Sequence, residues 1–172
     1  MPIIKSKLFI LRPFKRGDET SLVESINNEK IARNTSSIPY PYTMKDAKEW
    51  ITEVEKEKKK RKKKRVAFAI DIKEKVIGGI GLSKIEGHKA EIGYWLAEPY
   101  WGRGIMTKAV KLVTKFGFEK LGLRRIYGKV FPWNKASMRV LEKAGYKFEG
   151  ILRKETIKDG KFFDAYLFAK VR

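Results

Sequence analysis

The sequence predicts a mixed α/β (α+β) fold, on three observations. Apolar runs with the two-residue period of strands alternate with segments whose apolar residues recur at helical spacing. Six such strand-like runs are separated by turn residues, and the last alternates Phe163, Ala165, Leu167, Ala169 and Val171 with Asp164, Tyr166, Phe168 and Lys170. With 172 residues and 42% hydrophobic content, the chain can bury one substantial core, so a single domain over 1–172 is expected.

Taken in order, Leu8 to Arg12 reads as the first strand, and Asp18 offers an N-cap to a helix through Leu22 and Ile26. Pro39 to Tyr42 reads as a turn. Thr43 with Asp46 three residues on suits a capping box, followed by Ala47, Trp50, Ile51 and Val54 at i, i+3, i+4 and i+7. That helix is expected to run into the basic tract at 56–65, as an extension or loop. Residues 66–72 and 76–82 read as a hairpin turning at Lys73-Glu74-Lys75, and 89–97 as the next strand after the polar turn that holds His88. Ile105, Ala109, Leu112, Val113 and Phe116 share one helix face; Ile126 to Phe131 is a strand. Asn134 is placed to cap a short helix presenting Ser137, Val140, Leu141 and Ala144, and Gly145 to stop it in a left-handed conformation.

Composition narrows the function. Zero cysteines exclude disulfides and a thiolate nucleophile, and one histidine cannot build a His-rich metal site, so no metal is expected. No apolar run approaches the roughly 20 residues that span a bilayer, and the N-terminus lacks a signal-peptide core; a cytoplasmic protein without membrane contact is expected. The formal charge is +20, of which the decapeptide Lys56–Arg65, nine basic residues and one acidic, supplies +8. Such a field favours anionic partners, including RNA, and also serves solubility.

The chemistry centres on Trp101-Gly102-Arg103-Gly104-Ile105-Met106-Thr107, where a strand-like segment meets two glycines and a helix begins. Glycines let main chain approach a ligand, and the free amides and positive dipole end of a helix attract phosphate oxygens. The segment reads as a pyrophosphate cradle, with Arg103 contacting through its amide. A glycine pair by itself more often marks an ordinary turn.

Together with Glu91-Ile92-Gly93-Tyr94-Trp95-Leu96, Asn134-x-x-Ser137 and Glu149-Gly150, this segment resembles the GNAT superfamily of acyl-coenzyme A N-acyltransferases, most closely its ribosomal-protein N-terminal (alanine/serine) acetyltransferase branch. The resemblance implies a mostly antiparallel sheet splayed between its fourth and fifth strands, flanked by about four helices. It implies acetyl-coenzyme A as cosubstrate and a protein N-terminus or another amine as acceptor. Coenzyme contacts are implied for Trp95, Leu96, Ala97, Gly102, Arg103, Gly104, Ile105, Met106, Thr107, Asn134 and Ser137. Two positions depart from the superfamily pattern. Trp101 stands where Gln or Arg usually opens the loop, and Met106 stands where a small residue is expected.

Ser137 is then a candidate to protonate the departing thiolate, with a plain helix-surface hydroxyl as its alternative. Asn134 fits both a helix cap and a coenzyme contact. Glu155 and Glu91 compete as the base that deprotonates the amine, directly or through water; each has a salt-bridge alternative. Burial beside a departing anion would raise the pKa of either. Asp164 is a candidate for binding the acceptor amine, or an outward strand charge. Without cysteine, direct amine attack in a ternary complex is the expected mechanism. Polyamines and aminoglycosides remain alternative acceptors, and a non-catalytic RNA- or ribosome-binding domain is the rival reading. Ribosome contact through Lys56–Arg65 is an expectation set against a merely solvated helix end, and oligomeric state stays open between monomer and homodimer.

Overall fold

Alternation along one central strand, Val66–Ile72, decides how the layers assemble. Ala67 and Ala69 point to one face of the sheet and Val66, Phe68 and Ile70 to the other, all buried, so the strand is covered on both sides. The small residues face a helical layer with Leu22, Ile26, Ile51 and Val54, and the large ones join a core with Leu82, Val110, Val113 and Ile126. The computed structural model describes residues 1–60, 62 and 64–172.

In chain order the elements are β1 (Ile4–Lys5), β2 (Ile10–Pro13), α1 (Glu19–Ile26), α2 (Glu29–Arg33), α3 (Met44–Lys59), β3 (Val66–Ile72), β4 (Lys75–Glu86) and β5 (Lys89–Leu96). A 3-10 turn at Glu98–Tyr100 leads to α4 (Ile105–Lys120), β6 (Arg125–Val130), α5 (Lys135–Lys143), β7 (Lys147–Lys158) and β8 (Lys161–Val171). The eight strands form a sheet in the order β1-β2-β3-β4-β5-β6-β8-β7. Among the described residues the pairing is antiparallel except between β5 and β6.

That parallel pair positions the site. It is held only at Lys89↔Arg125, Ala90↔Ile126 and Glu91↔Tyr127, beyond which the strands diverge while β5 stays paired with β4 as far as Leu96. The expected splay between fourth and fifth strands falls on these same two segments, which become the fifth and sixth once the short β1 is counted. Among the described residues there are five helices where about four were expected, because α2 follows α1 almost at once. Its start is fixed by Asn28, whose side chain accepts from the Lys30 amide at 2.8 Å.

Several local expectations hold. Thr43 and Asp46 form the reciprocal capping box of α3. Gly145 ends α5 at φ +87°, with its N–H on Glu142 O and the Tyr146 N–H on Leu141 O, a Schellman arrangement. One other is corrected. Asp18 begins α1 but makes no side-chain cap; its carboxylate is drawn to the buried Arg12 guanidinium by two 2.8 Å bonds, and Asp71 takes the remaining face at 2.7 Å. A buried guanidinium must be paired, and that demand outweighs one helix cap.

The strand β7 was not expected from the sequence, because most of its residues are exposed and two bulges break its alternation. The helix entering the basic tract stops at Lys59. Glu57 then folds the chain back, bonding Lys60 Nζ at 2.6 Å and the Lys64 amide at 2.6 Å. Arg61 and Lys63 of the tract lie outside the described residues. No helix among the described residues is long and apolar enough to cross a membrane.

Candidate active site

A cleft of about 1210 Å³ begins at the glycine turn before α4, passes through the splay, and ends under α1 to α3 and the loop 34–39. At the first end, Gly102 and Gly104 both hold φ +73°, and a Cβ built on either would meet nothing within 4 Å. This is open left-handed turn geometry that only glycine adopts without strain. Gly104 is the N-cap of α4 and supplies no side-chain cap, so no side chain there competes with a ligand for the amides of the first turn. The two departures from the superfamily pattern have physical explanations. Trp101 donates its indole N–H to Leu96 O at 2.7 Å, pinning the turn to the end of β5. Met106 is buried in the core beside Ile105, so its bulk leaves the loop's open side clear. Arg103 stays exposed, its guanidinium 5.6 Å from the centre of the Tyr100 ring.

Of the residues implied to contact the coenzyme at the end of β5, two have main-chain groups already committed. The Ala97 N–H donates to Ile77 O at 2.8 Å, and Leu96 O holds Trp101. The remaining edge lies between Ile92 and Trp95, past the last β6 partner, where Gly93 presents open space. Trp95 turns its ring back over β4: a Cβ on Gly79 would approach its Nε1 to 2.5 Å, so only glycine fits beneath it.

Across the splay, Asn134 caps α5 as expected, its Oδ1 accepting from the Ser137 amide at 3.1 Å. Ser137 Oγ lies 2.8 Å from Tyr94 Oη. Sequence reasoning did not assign Tyr94 a role, because its partner is 43 residues away and only the fold joins them.

The two candidate bases converge. Glu91 on β5 bonds Lys84 at 2.7 Å and lies 4.0 Å from Lys129 Nζ, while Glu155 on β7 pairs directly with the same Lys129. Neither lysine was singled out from sequence. Lys129 holds the Glu155 carboxyl below its ordinary value of 4.5, the opposite of the rise expected from burial, because the side chain is well exposed and ion-paired. Of the two readings of Asp164, the outward strand charge is the one that fits. It does not line the cleft, and its Oδ1 accepts the Lys154 amide at 2.9 Å. Between Leu152↔Ala165 and Thr156↔Phe163, three residues of β7 face one of β8, and Asp164 ties down that bulge. Glu155, the bulge's last residue, is thereby turned toward Lys129.

The far wall includes Tyr42, Trp50 and the loop 34–39. Glu98 connects this wall to the glycine turn, accepting from Asn28 at 2.8 Å and pairing with Lys30. Lys158 near the tip of the β7–β8 hairpin donates to Thr35 O at 3.0 Å, linking the hairpin to the loop on that wall.

The same fold is found in RimL, a ribosomal L7/L12 alpha-N-protein acetyltransferase solved in complex with coenzyme A, with a TM-score of 0.86 over 99% of this chain and 98% of that chain at 20% identity. The model of the acetyltransferase (GNAT) domain matches residues 9–147, and the chain belongs to that family. Probable N-acetyltransferase YjcK of Bacillus subtilis is 35% identical over 97% of this chain and 96% of its own length. The ribosomal-protein-serine acetyltransferase of Escherichia coli is 31% identical over 60% of this chain and 59% of its own length.

Proposed function

We propose that this enzyme moves the acetyl group of acetyl-coenzyme A to the N-terminal α-amine of a protein, a ribosomal protein being the first candidate, by direct attack in a ternary complex. One observation carries the reading: a single cleft holds an open phosphate-type cradle, a hydroxyl pair at the splay, and two carboxylates sharing one lysine. In this scheme the amides of residues 102–107 hold the pyrophosphate, and the free edge of β5 pairs with the pantetheine arm as an added strand would. Asn134 orders the turn that presents Ser137. The acceptor nitrogen enters from the wall of Tyr42 and Trp50 and attacks the thioester carbonyl.

The electrostatics favour an α-amine. A carboxylate held below its ordinary pKa is a weak base, and an α-amine near 7.7–8.0 asks far less of it than a lysine near 10.4. The ribosomal acceptors named for RimL and for the Escherichia coli relative point the same way. The exposed part of the tract at 56–65 is assigned to recruitment, raising the local concentration of a ribosomal N-terminus through RNA contact.

The test is release of coenzyme thiol with peptides beginning in Ala or Ser, the same peptides already N-acetylated, spermidine, and an aminoglycoside. Turnover confined to the free N-termini is expected. Preference for spermidine or the aminoglycoside would replace the acceptor, and failure to bind acetyl-coenzyme A in calorimetry would remove the enzymatic reading of the cradle.

A further inference from the structure

We infer that Tyr94 is a positioning residue for acetyl transfer: its phenol donates to Ser137 Oγ across the splay and so leaves the serine's own proton directed at the sulfur of the leaving coenzyme. The inference rests on the function proposed above and assigns the orientation of its thiolate-quenching group.

Tyr94 lies on β5 three residues past the last residue paired with β6, so the strand that would cover it has already turned away. Ser137 sits in the first turn of α5, reached only after β6 ends. Their hydroxyl oxygens are 2.8 Å apart, and Tyr94 Oη is also 3.3 Å from the Ser137 carbonyl. Both residues line the cleft. Either oxygen can donate across the 2.8 Å contact, and we assign that proton to the phenol, the arrangement that leaves the Oγ–H free for sulfur. Burial holds the Tyr94 phenol above its ordinary pKa, so it stays protonated throughout neutral pH and acts as donor rather than base.

The direction matters because a serine hydroxyl that donates to Tyr94 has no proton to offer sulfur. With Oγ accepting from the phenol, its own O–H is left free to turn toward the leaving thiolate. The step balances as follows. The acceptor nitrogen forms the new N–C bond, the C–S bond breaks, and its electron pair goes to sulfur. Sulfur takes the proton of Ser137, and Ser137 is reprotonated by the water that received the proton lost from nitrogen. One proton leaves nitrogen and one arrives at sulfur, while Tyr94 keeps its own.

The experiment compares the parent, Tyr94→Phe, Ser137→Ala and the double variant, reading thiol release with an Ala- or Ser-initiated peptide and also the slow hydrolysis of acetyl-coenzyme A without acceptor. Tyr94→Phe keeps the ring and removes one oxygen, and a thermal melt checks its fold. It should lower kcat about five- to tenfold, the worth of one neutral hydrogen bond, with KM for acetyl-coenzyme A unchanged within about twofold. The double variant should match Ser137→Ala, since Tyr94 acts only through that hydroxyl. Parental kcat in Tyr94→Phe, multiplication of the two effects in the double variant, or a rise in KM that accounts for the loss would each overturn the inference. Hydrolysis without acceptor replaces the amine by water and still ends in thiolate departure, so a wrong acceptor in the proposed function would silence the peptide assay and leave this comparison intact. Should Tyr94→Phe melt far below the parent, Ser137→Cys, which keeps a donor at the same position, takes its place: the Tyr94-directed arrangement predicts partial retention of hydrolysis, and loss equal to Ser137→Ala would count against it.

Discussion

Glu155 shows how far a single residue's surroundings can reverse an expectation. A cleft glutamate suggests a raised pKa, yet the Lys129 ammonium pairs with it and holds it low. A depressed carboxylate is ionised above its lowered value and loses that form only as pH falls below 4.5, so it contributes no titration between pH 5 and 8. The pH dependence of kcat/KM reports the free enzyme and free acceptor. The rate should therefore climb with one deprotonation near 7.7–8.0, that of the acceptor α-amine, in both the parent and Glu155→Gln. Glu155→Gln should lower the plateau and leave the position of the limb unchanged. A limb between pH 5 and 7 that vanished in the variant would show that substrate binding breaks the Lys129 pair and lifts the carboxyl.

At the scale of elements, the start of α4 is the most exacting join in the chain, since both glycines before it require a positive φ. Gly104→Ala should cost about 1–2 kcal/mol in stability from the left-handed backbone alone. It should also weaken acetyl-coenzyme A binding by about tenfold or more, near 1.4 kcal/mol, because the added methyl enters the open side of the turn. Gly122→Ala is the control. Gly122 follows the other end of the same helix at φ +67° with equally open space, so it shares the strain and not the ligand. Calorimetry on the two variants separates the terms, and equal losses of affinity would reject the cradle. This turn was readable in the sequence because its signal is local. The β7 bulge was not, since Asp164 and Lys154 lie on different strands of a hairpin whose register shifts twice.

Taken whole, the molecule carries +20, and part of its basic tract is already used within the fold. Lys58 bonds the Phe14 carbonyl, and Arg65 pairs with Glu53 at 2.7 Å while lying 5.4 Å from the Trp50 ring centre. Replacing Lys56, Lys59, Lys62 and Lys64 with glutamine spares those contacts. Turnover on a short free peptide should stay near parental, whereas affinity for ribosomal RNA should fall and its salt slope should shrink by up to roughly 0.9 per lost phosphate contact. A filter-binding series at several salt concentrations measures both, and an unchanged slope would assign the tract to solubility alone.

The sequence by itself determined what depends on neighbours along the chain: the helix periods, the α3 capping box, the glycine turn before α4, the Asn134 cap and the Schellman end of α5. Each is a contact between residues a few positions apart, where residue type and spacing suffice. The family was legible for the same reason, as an ordered series of such local motifs. Only the tertiary structure decided the pairings that cross the splay. Tyr94 meets Ser137, Lys129 joins Glu91 to Glu155, and Arg12 draws Asp18 away from its helix. Those partners lie on separate elements, and the low-dielectric interior or the sheet register, rather than local propensity, selects which charges and hydroxyls must satisfy one another.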